Sequence, residues 1–212
     1  MNAIVIDFDG TIADSFDGVL EFLLKQVGKT PADLTAEQRQ ELRGLSMKAL
    51  ALRVGISNWK LPLIYFRGRA AMNKRMGRTP VCAGMEAVLA SLHNEQYRLF
   101  IVSSNSKRNI NRFLSEHGLG GYFVRVYGSA GWFGKGPVLK KLLQQQKLEA
   151  SSTVYVGDET RDIIGAQVAD MPSVAVSWGF GSEEQLLAHK PTVLVRTAAE
   201  LQKVLAGWGS NH

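Results

Sequence analysis

Ala3-Ile4-Val5-Ile6-Asp7-Phe8-Asp9-Gly10-Thr11 is the stretch on which the reading of this chain turns. A short apolar run with β-branched residues, followed by turn residues, reads as a buried parallel strand. Two carboxylates at its C-terminal end are costly unless something cationic meets them. Asp7 and Asp9 lie two apart, so an extended chain points both to one face, and Gly10 permits a sharp turn behind them. A hard metal ion beside a carboxylate nucleophile needs this arrangement, because Mg²⁺ takes oxygen ligands and keeps positions open for phosphate. An acidic helix cap, with Asp9 or Thr11 capping the next helix, uses the same residues. Taken alone, the nine residues leave the two readings even.

The chain has 212 residues, 45% of them hydrophobic and 21% charged. That is the make-up of a globular domain with one core, or a core with a smaller insertion, and disorder is not expected. No apolar run approaches the length of a membrane span, and Met1-Asn2-Ala3 leads straight into the strand without the pattern of a signal peptide. A single cysteine, Cys82, rules out an intrachain disulfide and a thiolate metal cluster. A cytoplasmic enzyme is the expectation, with no membrane partner. The net charge is +6, and no acidic residue falls between Glu41 and Glu86, where nine Lys and Arg do. If one helix spans them, Lys74 and Arg78 lie within about 20° of Arg67, forming a basic stripe. Such a stripe steers an anionic small molecule or is a solvated face; nucleic acid is not expected, because no interleaved aromatics or nucleic-acid motif accompany it.

Phe16, Val19, Leu20, Leu23, Leu24 and Val27 form one apolar face of a helix over residues 14–28. Thr35 with Gln38 is a capping box opening a second helix to Leu42. Residues 46–54 predict a third, closed by Gly55, and Leu61-Pro62 opens a fourth that runs to Met76. Nothing from 15 to 80 reads as a strand. Past Pro80 the pattern changes: strands at 98–103, 122–127, 153–156, 173–177 and 192–195 alternate with helices at 84–93, 107–117, 136–147, 161–169 and 198–206. This alternation predicts an α/β fold, a parallel-sheet Rossmann-like core covered on both faces, with a small all-helical insertion after the first strand. The expected division is 1–15 and 81–212 for the core, 16–80 for the helices. In open α/β sheets the ligand lies outside the carboxyl ends of the strands.

At those ends stand three further groups. Ser103-Ser104-Asn105-Ser106 offers hydroxyls and backbone N–H groups to a phosphate oxygen, or simply a helix cap. Lys135 projects from a loop between Gly134 and Gly136, with Lys140 and Lys141 as substitutes. Gly157-Asp158-Glu159-Thr160-Arg161-Asp162 sets two acids one helical turn apart.

The ordered set resembles the haloacid dehalogenase-like phosphatase superfamily. Residues 7–15, Asp-Phe-Asp-Gly-Thr-Ile-Ala-Asp-Ser, match its first motif; Ser104, or Ser103 in the alternative register, the second; Lys135 the third; Gly157-Asp158 with Asp162 the fourth. The helical insertion falls where the family carries its cap. The resemblance implies that Asp7 attacks phosphorus and Asp9 serves as general acid, then base. It implies Mg²⁺ held by Asp7, the main-chain carbonyl of Asp9 and Asp158, with Asp162 behind them or acting through water. Ser104 and Lys135 would hold the phosphoryl oxygens, with Thr11 and Asn105 beside the substrate. Asp9 favours a phosphatase over a dehalogenase, since an alkoxide leaving group needs an acid and a halide does not. The helices with Leu42-Arg43-Gly44-Leu45-Ser46 look most like the phosphoglycolate phosphatase-like branch, with Arg43 the candidate substrate contact from the cap. The implied partner is a small phosphorylated substrate: 2-phosphoglycolate, a sugar phosphate or a nucleotide. A phosphomutase uses the same residues, and a non-catalytic protein docking through its basic cap is the alternative of another class; a receiver domain ranks last because it lacks room for the insertion. Trp132, Phe133, Trp178 and Phe180 are read as packing aromatics near the strand ends. The sequence carries no signal of oligomeric state.

Overall fold

The apolar run Ala3–Ile6 forms strand β1, every residue of it buried. It lies at the middle of a parallel six-stranded sheet with β2 (Arg98–Val102), β3 (Phe123–Tyr127), β4 (Thr153–Gly157), β5 (Ser173–Val176) and β6 (Val193–Val195), in the order β3-β2-β1-β4-β5-β6. The structure is a computed structural model that describes residues 3–73, 75–130 and 134–208. From β1 the chain winds outward through β2 to β3, then returns to β4 on the other side of β1. The topological switch point therefore lies beside β1, where an open α/β sheet leaves a crevice at its carboxyl edge.

Alternation along the strands divides the core. Ile4, Ile6, Ile101, Val154 and Val156 face one layer, with α1 (Phe16–Gln26), α5 (Met85–Asn94), α6 (Lys107–Glu116) and α10 (Ala198–Ala206). Val5, Phe100, Val102 and Tyr155 face the other, with α7 (Gly136–Gln146) and α8 (Thr160–Val168).

Between β1 and α5 the described residues form helices and 3₁₀ turns. They are α1, α2 (Ala36–Leu42), α3 (Met47–Arg53) and α4 (Leu61–Asn73), with 3₁₀ turns at Pro31–Asp33, Asn58–Lys60 and Met76–Arg78. Thr35 opens α2 with the expected box, its hydroxyl accepting from Gln38 N–H and its own N–H donating to Gln38 Oε1. Leu20, Leu24, Leu50 and Ala51 belong to the same apolar cluster as Ile4 and Ile6, so helices and sheet share one buried layer. The two chain crossings into this segment are tied by backbone bonds, Cys82 N–H to Ile12 O at 2.8 Å and Asp14 N–H to Pro80 O at 2.9 Å.

Two sequence expectations change. Among the described residues the fourth helix is Leu61–Asn73, and Met76 and Arg78 fall in a separate 3₁₀ turn rather than on that helix. Arg67 and Arg78 therefore do not share one helical face, and the basic stripe expected there is not formed; Lys74 lies outside the described residues, as do Trp132 and Phe133. A helix that the periodicity misses, α9 (Glu183–Ala188), follows β5. Its six residues are too few to show a 3.6-residue pattern, although Ser182 accepting from Gln185 N–H is a local cap signal.

Candidate active site

Asp7 leaves β1 with its N–H still donating to Val156 O at 2.8 Å, so it stands on the sheet edge between β1 and β4. Its Oδ1 accepts the Phe8 N–H at 2.7 Å. Asp158 leaves β4 alongside, its Oδ1 accepting from the Thr11 hydroxyl at 2.7 Å and its Oδ2 from the Phe180 N–H at 2.8 Å. Asp162 turns back from the first turn of α8, its Oδ2 accepting the N–H groups of Asp158 (3.0 Å) and Glu159 (2.9 Å). One carboxylate oxygen from each of Asp7, Asp158 and Asp162 lies within 4.8 Å of the others.

Lys135, just ahead of α7, closes the cluster from the far side. Its Nζ is 2.6 Å from Asp7 Oδ2 and 2.5 Å from Asp162 Oδ1, and donates to the Tyr155 hydroxyl at 2.8 Å. Tyr155 passes a hydrogen bond on to Val102 O at 3.1 Å. Lys140 and Lys141 are exposed on α7 and take no part. From the β2 loop, Asn105 Nδ2 donates to Asp9 Oδ2 at 2.9 Å. Ser103 is turned into its own loop, its Oγ accepting the Asn105 N–H at 3.1 Å, whereas Ser104 faces the cavity described below beside Arg161, whose guanidinium reaches Ser104 Oγ at 3.4 Å.

Glycine makes room for Asp158. A Cβ on Gly179 would lie 2.2 Å from Asp158 Oδ2. Gly10, with φ +79°, combines that same 2.2 Å clash with a backbone conformation that side chains resist.

Five buried carboxyl groups, Asp7, Asp9, Asp158, Glu159 and Asp162, share Lys135 and Arg161. The imbalance shows in their proton affinities. Burial raises the Asp9 carboxyl to about 6, with the Asp7 charge adding to it and the Asn105 donor opposing. Burial, then Asp162 and Asp7, push Asp158 well above the usual carboxylate range. Asp7 is also raised by burial, against the pull of Lys135. Burial works against the charge of Lys135 itself, but Asp162 and Asp7 outweigh it and hold the ammonium protonated. An all-oxygen donor set with surplus negative charge fits a hard divalent cation.

A family model described as haloacid dehalogenase-like hydrolase matches residues 4–176. The chain belongs to this family. This haloacid dehalogenase-like hydrolase is 31% identical over 204 residues to a phosphoglycolate phosphatase of Synechococcus elongatus, covering 95% of each protein. It is 25% identical to a 5'-nucleotidase of Pseudomonas aeruginosa, over 95% of this chain and 94% of that one. A solved haloacid dehalogenase-like hydrolase from Streptococcus pneumoniae superposes with a TM-score of 0.78 at 20% identity, covering 97% of this chain and 98% of that one, a likeness of fold. The chain is thus an enzyme of the phosphoric monoester hydrolase class, and among its described residues no helix is long and apolar enough to cross a membrane.

A cavity of about 720 Å³ opens over the Asp9 side of the site in this hydrolase, with Phe22, Met47 and Ile64 of the helical segment above Asp9, Ser104 and Arg161. Arg43 is not part of it. Its guanidinium lies 3.4 Å from Asp17, 4.0 Å from Asp14 and 4.4 Å from the Phe16 ring centroid, so α1 engages the charge that was expected on the substrate. Lys48 lines the cavity instead. Trp178 donates to Thr11 O at 3.3 Å and Phe180 packs 6.0 Å from Phe16, both as structural aromatics. The sequence reading missed Tyr155 and Arg161. A tyrosine in a fully buried strand asks for a hydroxyl partner, which was a usable signal; Arg161 sits inside the fourth motif but at one of its unspecified positions.

Proposed function

We propose that the chain is a Mg²⁺-dependent phosphatase that hydrolyses a small phosphate monoester through a phosphorylated Asp7, with residues 16–80 as a cap over a core of 1–15 and 81–212. The observation that carries this reading is the meeting of the Asp7, Asp158 and Asp162 carboxylates within 4.8 Å against the Lys135 ammonium. Asp7, Asp158 and the Asp9 carbonyl would hold Mg²⁺, with Asp162 behind them. The ion, when bound, offsets the repulsion between a carboxylate nucleophile and a phosphate dianion.

In the first half-reaction an Asp7 oxygen forms a bond to phosphorus as the ester P–O bond breaks. The departing oxygen takes the proton of Asp9, whose carboxyl, raised to about 6, keeps a useful fraction of that proton near neutral pH. In the second, water attacks phosphorus, its proton returns to Asp9, and Asp7 leaves with both electrons of its bond to phosphorus. Lys135, Ser104 and the N–H groups ahead of α6 would hold the phosphoryl oxygens, with Thr11 and Asn105 alongside.

The relatives' names point to 2-phosphoglycolate first and nucleotides second. The cavity supports the second class as well, because its 720 Å³ and apolar roof exceed what a two-carbon acid fills. Phosphate release from 2-phosphoglycolate, sugar phosphates and nucleoside monophosphates, with Mg²⁺ and with chelator, tests the reading. Mg²⁺-dependent turnover that vanishes in Asp7→Asn is the expected result, and the best kcat/KM names the substrate class. Absence of release from every ester, or phosphoryl exchange between sugar hydroxyls without release, would sink it, the latter in favour of a phosphomutase.

A further inference from the structure

Asp9 is held by a row of side-chain amides that leads out of the core into the helical segment. Asn105 Nδ2 donates to Asp9 Oδ2 at 2.9 Å. The direction of that amide is determined, because Asn105 Oδ1 accepts the backbone N–H of Ser106 at 2.8 Å, and a backbone N–H cannot act as an acceptor. The same Oδ1 accepts Asn109 Nδ2, also at 2.8 Å. Asn109 Oδ1 in turn accepts Asn73 Nδ2 at 2.7 Å, and the Arg112 guanidinium donates to Asn73 O at 3.1 Å. Asn73 is the last residue of α4; Asn109 and Arg112 are on α6.

Asn109 occupies the buried face of α6 with Ile110, Phe113 and Leu114. Packing alone would be met there by an apolar side chain, and a buried amide is costly unless its partners are in place. The row has a chemical consequence at its inner end. Since Asp9 Oδ2 accepts the Asn105 N–H, the proton of a protonated Asp9 belongs on Oδ1. The row thus selects which oxygen delivers the proton.

We propose that Asn109 is a positioning residue for the acid–base step: it holds the Asn105 amide against Asp9, and its bond to Asn73 makes that hold depend on α4 being seated on α6. The proposal rests on the reading of Asp9 as the acid–base group. If α4 lifts from α6, the Asn73–Asn109 bond breaks, and the Asn105 oxygen, whose direction the Ser106 N–H sets, is held less firmly by its second donor, Asn109 Nδ2. Proton delivery is then complete only with the helical segment in place, when water is excluded from the cavity.

The test compares an alkyl phosphate, whose alkoxide must be protonated, with p-nitrophenyl phosphate, whose leaving group needs little acid help. Asn109→Leu, nearly isosteric, should lower kcat for the alkyl ester about 10- to 100-fold, the scale of a misplaced catalytic group. The p-nitrophenyl rate should change by less than about 3-fold, because general acid catalysis contributes little to it. Adding Asn109→Leu to Asp9→Asn should cost nothing further, since residues acting through one group are not additive. Asn73→Ala should show the same leaving-group selectivity, more weakly. An equal loss on both esters, or the same loss in the Asp9→Asn background, overturns the proposal and leaves Asn109 a packing residue. Where Asn109→Leu fails to fold, Asn109→Asp keeps the acceptor for Asn73 and removes the donor to Asn105; its crystal structure should show the Asn105 amide turned from Asp9, and an amide still bonded to Asp9 overturns the idea. Alkyl phosphate turnover that survives Asp9→Asn would refute the acid role of Asp9, and the proposal with it.

Discussion

Lys135 holds its charge where hardly any water reaches it, and it does so because the Asp7 and Asp162 carboxyls stand on either side. Deleting one member of such a buried set strands the others, which costs more than the set contributes. Lys135→Met is therefore expected to lower the unfolding free energy of the metal-free protein by about 3–5 kcal/mol near neutral pH, measured by urea denaturation. The deficit should shrink on acidification, as the stranded carboxyls take up protons. A change below about 1 kcal/mol would mean that the charges are compensated elsewhere. Lys135 and the aspartates were legible in the sequence because each follows a strand or opens a helix at a predictable edge. Asn109 was not, because a buried polar group on a helix is revealed by its partners, and Asn73 comes from a distant part of the chain. The surroundings of Arg43 were hidden for the same reason: sequence order brings it to the helical segment, but only folding brings Asp17 and Phe16 against it.

Elements matter to this site mainly through the loops at their carboxyl ends. The turn after β5 carries Gly179 and Phe180 under Asp158, giving it an N–H donor and no obstructing side chain. Gly179→Ala adds a methyl 2.2 Å from Asp158 Oδ2 and 2.4 Å from its Cβ without demanding an unusual φ, so Asp158 must shift together with the backbone that carries it or with the turn after β5. The expected outcome is at least a 10-fold loss of turnover, on the scale of a displaced catalytic group. It should come with weaker Mg²⁺ binding by calorimetry and a stability loss within the roughly 1–3 kcal/mol of an overpacked position. Unchanged Mg²⁺ affinity would show that Asp158 is not a ligand. Strands and long helices could be read from periodicity, since burial on one or two faces imposes it. The strand order could not, because which parallel neighbour a strand adopts is decided by packing across the sheet. The passage from α4 to the 3₁₀ turn at Met76 could not be read either, as no proline or glycine falls between Asn73 and Met76.

Over the whole molecule, a net charge of +6 surrounds a centre that is locally acidic. The outer field draws anionic esters in, and the inner acids need a cation before a phosphate can settle among them. That conflict has a thermodynamic signature. Burial raises Asp9 from 3.8 to about 6 in the folded chain, so across that interval the native state binds more protons than the unfolded one. Stability must then fall as pH rises from about 4 to 6 and stay reduced above, by about 3 kcal/mol from this one group. Asp158 and Asp7, raised in the same direction, add to the loss. On the proposed reading, Mg²⁺ held by these carboxyls would oppose it by binding the folded form, displacing protons as it does so. Thermal unfolding of the metal-free and Mg²⁺-supplemented protein should therefore show a larger Mg²⁺-induced rise in Tm at pH 7 than at pH 5. Binding at pH 6 should release protons, seen as a buffer-dependent heat. A Tm increment that is absent, or equal at the two pH values, would mean that these carboxyls do not form the metal site, and the Asp7 chemistry would have to proceed by another means of neutralising its charge.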